Sequence, residues 1–228
     1  MEARYHEAMS DQGSTYWPLD RLVLRVAELT LRPLRETDLD TVGVVLPPDL
    51  EMNPATPQPF GAGERVARAV AMRQEYWREL GSWTPDRWEV GFGVFRGDEM
   101  VGGQALEGRD FALLRTVETA SWLRVEQRGR GLGKLARVAV LSLAFDGLGA
   151  ETALSEAWSD NGASLGVSRS LGYQPNGSVR HRRGDVASEM PRLRLDREGW
   201  RAVVRPPVEI EGLEACLPWF IAAHAPGR

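Results

Sequence analysis

The chain has 228 residues, a formal net charge of −4, 43% hydrophobic residues and 26% charged residues. That is the balance of a soluble globular protein with enough length for one large domain, and its net acidity removes the overall attraction that bulk nucleic-acid binding requires. A single cysteine, Cys216, excludes an internal disulfide framework and fits a reducing cytoplasm. The polar start Met1-Glu-Ala-Arg-Tyr-His-Glu has no apolar secretory run, and no stretch approaches bilayer-spanning length, so neither export nor a membrane partner is expected. His6, His181 and His224 are too scattered to suggest a metal site.

Residues 1–19 read as an N-terminal extension, loose or partner-dependent over 1–16. Leu22-Val-Leu-Arg and Glu28-Leu-Thr-Leu-Arg-Pro read as short strands, the second stopping at Pro33. A helix is expected from Glu36, with Thr37 as its cap. Residues 47–60 hold five prolines and break both regular periods, so they are expected to form an irregular lid or wall. Gly63 to Leu80 predicts a long helix packing through Val66, Val70, Tyr76 and Trp77.

After Pro85 the period changes to alternation. Trp88 to Phe95, a turn at Gly97-Asp98 and Met100 to Leu106 predict an antiparallel hairpin. Val117 to Val125 is a third strand, Leu132 to Leu148 a helix with Leu135, Val138, Ala139, Leu141, Leu143 and Phe145, and Thr152 to Trp158 another strand. Asn161 to Leu171 predicts a short helix ended by Gly172 at the C′ position. Val179-Arg180-His181 and Pro191 to Leu195 are later strand candidates, and Val208-Glu-Ile begins a further segment. The expected fold class is therefore α/β with a mostly antiparallel mixed sheet, one domain over 20–198, and a C-terminal extension over 199–228 packing on the domain or on a dimer partner.

Between the third strand and the long helix lies Gln127-Arg-Gly-Arg-Gly-Leu-Gly-Lys134. Its glycines free successive N–H groups to turn around an anion, and the helix that follows adds unpaired N–H groups and the positive end of its dipole. Arg128, Arg130 and Lys134 add charge, although Arg130 could face solvent and Lys134 could serve solubility alone. The position is wrong for a dinucleotide fingerprint, which belongs at the first strand. Leu135 after Lys134 breaks a Walker A loop.

Arg128-x-x-Gly131-x-Gly133, with Ser121-Trp122-Leu123 before it and Asp160-Asn161-Gly-Ala-Ser164…Val167…Leu171-Gly172-Tyr173 after it, resembles the signatures of the GNAT acyltransferase superfamily, RimJ/RimL-type branch. The strand Val117-Glu118-x-x-Ser121-Trp122-Leu123 and the ending Val208-Glu-Ile-Glu-Gly212-Leu-x-x-Cys216 also resemble an actinobacterial-like subgroup of succinyl-CoA transferases. The resemblance implies a V-shaped opening between two central strands that admits the pantetheine arm of acetyl-CoA or succinyl-CoA. It implies pyrophosphate on Gly129, Arg130, Gly131, Leu132 and Gly133, beside Arg128 and Lys134, and the acyl carbonyl near residues 122–125, so that Leu123 and Val125 join the donor site. Asn161 either caps its helix or bonds the pantetheine amide, and Ser164, one turn on, either donates a proton to the departing thiolate or is a plain helix hydroxyl.

Three further groups carry open alternatives. Tyr173 either packs the sheet edge or offers a second acid, and Glu118 is either the general base or an arginine's partner. The carboxylate of the RimL-type pattern would align near Arg183, where this chain has none. His181 is a base candidate with a bland surface alternative, and Arg182 and Arg183, beside Arg180, could clamp an acidic acyl group or acceptor. Met52 to Phe60 with Trp83 or Trp88 could wall the acceptor site. The expected function is direct acyl transfer from an acyl-CoA to a primary amine of a small molecule or protein, by a cytoplasmic homodimer without metal. The alternative is a CoA-binding sensor with little or no turnover.

Overall fold

A computed structural model describes residues 16–51 and 63–221. The proline-rich wall expected over Met52 to Phe60 lies outside them, as does most of the N-terminal extension. Nine strands form one sheet in the order β7-β8-β6-β5-β4-β3-β2-β1-β9. They are β1 (Val23–Val26), β2 (Leu29–Pro33), β3 (Arg87–Arg96), β4 (Glu99–Arg109), β5 (Thr116–Leu123), β6 (Thr152–Glu156), β7 (Gln174–Arg183), β8 (Val186–Asp196) and β9 (Glu209–Glu211). Every neighbouring pair is antiparallel except β5 with β6. Among the described residues seven α-helices accompany them: α1 (Leu39–Val45), α2 (Glu64–Gly81), α3 (Phe111–Leu114), α4 (Leu132–Ser142), α5 (Gly162–Ser170), α6 (Arg197–Ala202) and α7 (Leu213–Phe220).

Strand register sorts side chains by face, because directly opposed residues share one. On the α4 side, Trp88, Val90, Phe92 and Val94 of β3 are buried with Leu106 of β4 and Val117 of β5. The buried residues of α4, from Ala136 to Leu141, complete that core. On the opposite face β3, β4 and β5 present Glu89, Glu107 and Glu118 in a single row, since Glu89 opposes Glu107 and Glu107 opposes Glu118.

Several expectations change. Thr37 is not a cap. The turn at Glu36–Asp38 is instead closed by the Asp38 carboxylate, which accepts from the Arg35 N–H at 2.8 Å and binds Arg32 through two bonds of 2.7 and 2.8 Å. Helix α2 buries Ala67 and Ala71, while Val66 and Trp77 are about half exposed, because short side chains one turn apart let the helix lie close. Within the C-terminal segment, expected to pack on the domain or on a dimer partner, β9 pairs with β1, and Cys216 and Phe220 are fully buried.

Trp83 and Trp88 do not wall an acceptor site. Trp88 is 1% exposed and packs its ring against Phe111 and Phe220, with Nε1 donating to the Phe220 carbonyl at 3.1 Å. Trp83 meets Trp17 and Phe220, and its Nε1 donates to the Trp219 carbonyl at 3.1 Å. These indoles clamp α7 and the segment at Trp17 onto β3, and both N–H groups are used in doing so.

Candidate active site

Strand β5 delivers the glycine loop to α4, and the local backbone explains why glycine stands there. Gly129 has φ +72° and Gly131 φ +80°, left-handed values that strain any residue carrying a Cβ. Gly131 is the N-cap of α4 and supplies no side-chain cap. Among the described residues, the N–H groups of 129 to 133 have no carbonyl partner. Five consecutive donors at a helix start form an anion cradle. Arg130 is exposed and Lys134 half-buried, and neither makes an ion pair among the described residues.

Arg128 is already engaged. Its two Nη atoms hold the Asp49 carboxylate at 2.6 and 2.7 Å, and Nε donates to the Leu123 carbonyl at 3.2 Å. The same short segment reaches the other side of the site through Glu51, which accepts from Arg183 Nε at 2.9 Å. Arg183 also holds Asp160 at 3.0 Å and stacks over Trp158. Arg182 pairs with Asp185 at 3.0 Å. Acids of the same chain thus occupy both arginines expected to clamp an acidic group. The hairpin tip between Arg180 and Ala187 carries an open depression lined by His181, Arg182 and Val186, at the end of strands that project past the sheet.

Pairing between β5 and β6 covers only Thr116–Glu118 with Thr152–Leu154. Beyond it, residues 119–123 of β5 and 155–156 of β6 make no ladder with each other, leaving an opening with Leu123 nearest the glycine loop and Glu118 at the closed end. Leu123 is half-buried against Gly133, and Val125 is 51% exposed. Asn161 caps α5, its Oδ1 accepting from the Ser164 N–H at 3.0 Å. The Ser164 hydroxyl is half-buried and makes no hydrogen bond among the described residues. Tyr173 is 2% exposed, so its ring fills the core instead of lining the opening, and burial pushes its hydroxyl pKa upward. That oxygen lies towards Thr119 and Arg137 without a well-formed hydrogen bond.

On the far face, burial raises the pKa of Glu118, helped by the charges of Glu107 and Glu156 and opposed by Arg109 and Arg192. Glu89 is raised by burial and by Glu107, and Glu79 of α2 is pushed up to about 8 by burial and by Glu89. His181 lies 3.7 Å from Glu156, which also accepts from Arg192 at 3.2 Å. Glu75, Glu79 and Glu89 bring carboxylate oxygens within 4.8 Å of one another, the only group among the described residues with metal-ligand spacing. Glu75 is paired with Arg78. Cys216, fully buried, with its thiol pKa raised to about 11 by desolvation, is no nucleophile.

Asp49, Glu79, Glu89, Glu107, Arg137 and Ser155 join the site only in three dimensions. The carboxylate row needs strand register to become visible. Arg137 had a local signal, a charge set among the apolar residues Ala136, Val138 and Ala139 of α4.

An anion cradle between a splayed parallel pair and a helix, on a mostly antiparallel sheet, defines a CoA-thioester-using transferase. A model of the acetyltransferase (GNAT) domain matches residues 28–174, and the chain belongs to that family. It is an acyl-CoA-dependent N-acyltransferase. Its fold resembles Mycobacterium smegmatis RimJ in complex with CoA-disulfide, at TM-score 0.64 and 16% identity over 87% of this chain and 94% of that one. A spermidine N-acetyltransferase SpeG chimera from Vibrio cholerae and hSSAT gives TM-score 0.60 and 16% identity over 77% and 99%.

Proposed function

We propose that the protein carries an acetyl or succinyl group from its CoA thioester directly to a primary amine of a small molecule or protein. The observation that carries this reading is the run of free N–H donors at 129–133, which opens towards the gap between β5 and β6 with Glu118 at its closed end. The pyrophosphate would lie on that run, with Arg130 and Lys134 beside it and Arg128 released from Asp49. The pantetheine arm would follow β5 past Leu123, and the Asn161 side chain would meet its amide. The row of Glu89, Glu107 and Glu118 attracts a protonated amine, and the raised pKa of Glu118 suits a base that must take a proton from it. The freed amine attacks the thioester carbonyl, the C–S bond breaks, the Ser164 hydroxyl donates its proton to the leaving thiolate, and the proton that the adduct nitrogen sheds to become the amide returns to the Ser164 oxygen. His181, tied to Glu156, belongs to the rim on the acceptor side.

A homodimer in the cytoplasm completes the proposal, supported by the projecting β7–β8 hairpin with Val186 64% exposed. Sedimentation showing only monomer at working concentration would count against the dimer. Incubation with acetyl-CoA or succinyl-CoA and a panel of amines tests the reaction through amine-dependent release of free CoA. Tight binding with no release from any amine would instead favour a sensor, a reading supported by Arg183 standing where a RimL-type carboxylate would align. No binding of either thioester would overturn both.

A further inference from the structure

Arginines at the surface of this protein are heavily paired, whereas the most deeply buried one is not. Arg25, Arg32, Arg73, Arg109, Arg124 and Arg192 each hold a carboxylate within 3.2 Å, all of them more accessible than Arg137. Arg137 is 2% exposed and forms no ion pair among the described residues. Its Nη1 donates to Ser155 Oγ at 3.3 Å, its Nη2 donates to Ser121 Oγ at 3.1 Å, and Nε has no partner. A guanidinium keeps its charge at any physiological pH, and a buried charge facing only hydroxyls is costly to hold.

The place of this charge in the fold is specific. Ser121 and Ser155 lie just beyond the last paired residues of β5 and β6, so the guanidinium bridges the two strands where they part. Ser121 is exposed there, so the bridge borders the opening. Along β5 the order from the glycine loop is Leu123, Trp122, Ser121, which puts Arg137 beside the end of the opening remote from the phosphate cradle. The Tyr173 hydroxyl oxygen lies towards it without a well-formed hydrogen bond. An orphan Nε–H donor and an uncompensated positive charge at the far end of a thioester channel call for an anion on the acyl chain itself.

We propose that Arg137 selects the donor by pairing with a terminal carboxylate on the acyl group, so that the preferred donor is the mono-CoA thioester of a short dicarboxylic acid. This rests on the acyl-CoA reading above, and it moves acyl selection from Arg182 and Arg183, whose charges are already paired, to the floor of the opening. The carboxylate accepts from Nη2, and the Ser121 hydroxyl turns from accepting to donating towards the same oxygen. A neutral acyl chain leaves the guanidinium unpaired.

Calorimetric titration of the full chain with CoA, succinyl-CoA and the size-matched neutral butyryl-CoA tests this. Wild-type protein is expected to bind succinyl-CoA roughly tenfold to a hundredfold more tightly than butyryl-CoA, the range of a charge-assisted hydrogen bond. Arg137→Gln, which removes the charge and keeps a polar side chain, is expected to erase that preference and to leave CoA affinity within about threefold. Equal wild-type affinity for the two thioesters, or a preference that survives Arg137→Gln, would overturn the proposal while leaving acyl-CoA binding intact. Failure to bind CoA itself would instead strike the acyl-transfer reading. If Arg137→Gln does not fold, judged by circular dichroism and thermal melting, the wild-type comparison decides together with Ser121→Ala, which is expected to weaken succinyl-CoA more than butyryl-CoA. Equal weakening of the two would refute the assignment.

Discussion

The two faces of the sheet around β5 carry opposite electrostatic imbalances. On the α4 face a single buried cation, Arg137, stands among serines with no acid to meet it. On the other face Glu89, Glu107 and Glu118 oppose one another directly, an arrangement that like-charge repulsion disfavours. Neither side helps the fold. Each makes sense when the missing charge arrives with a substrate, an anionic donor on one face and a cationic amine on the other. The strand that separates them carries Glu118 and Ser121 only three residues apart, facing opposite ways.

Removing the cradle is the largest break available to that two-sided arrangement. Gly131→Asp puts a Cβ at φ +80° and a carboxylate among the free N–H groups. Acyl-CoA affinity is expected to fall by roughly a hundredfold or more, as seen by calorimetry, with melting temperature much less affected. Unchanged affinity in folded protein would remove the phosphate assignment, and with it the meaning of both faces.

Glu118→Gln attacks the acceptor face alone. Loss of a general base is expected to lower kcat by about a hundredfold or more with donor affinity retained. Because burial and neighbouring acids hold its pKa above the ordinary carboxylate range, the wild-type acid limb of kcat/KM should lie above that range and vanish in the variant. A retained limb would hand the base role to another group, with His181 beside Glu156 the next to test.

Asp49→Asn sharpens the donor side. The carboxylate now held by Arg128 competes with an incoming phosphate, so its removal should tighten CoA binding by about threefold to tenfold, more at low salt than at high. Weaker binding would show that Asp49 instead positions Arg128 for the ligand.

How far these features could be read beforehand follows from the range of the interaction that makes them. The glycine loop depends on five or six consecutive residues, and Gly129, Gly131 and the Asn161 cap behave as their local chemistry dictates. The hairpin around Gly97-Asp98 was equally local, and Arg96 duly pairs with Glu99. Trp83 and Trp88 lack such a local signal, because an indole near a proline-rich segment reads like a binding wall. Their true partners, Trp219 and Phe220, lie over 130 residues away. Glu118 is marked by its position on a strand, but Glu89 and Glu107 join it only through register. Asp49 and Glu51 find Arg128 and Arg183 across 79 and 132 residues. No periodicity encodes such pairs.

The smallest effect separates the cost of the acidic face from its use. Glu79 of α2, pushed up to about 8 by burial and Glu89, keeps its proton in the native state, while the unfolded chain releases it near 4.5. Unfolding between those values therefore releases a proton, so this group makes stability fall as pH rises through the window from about 4.5 to about 8. Glu79→Gln replaces the protonated form by a neutral amide of similar shape. Its melting temperature should match wild type near pH 5 and exceed it above pH 8, flattening the decline. If wild type and variant decline in parallel, the proton is not held at Glu79. The acidic face would then carry its full negative charge at neutral pH, which would strengthen its attraction for a protonated amine and leave Glu118 more strongly perturbed by its neighbours.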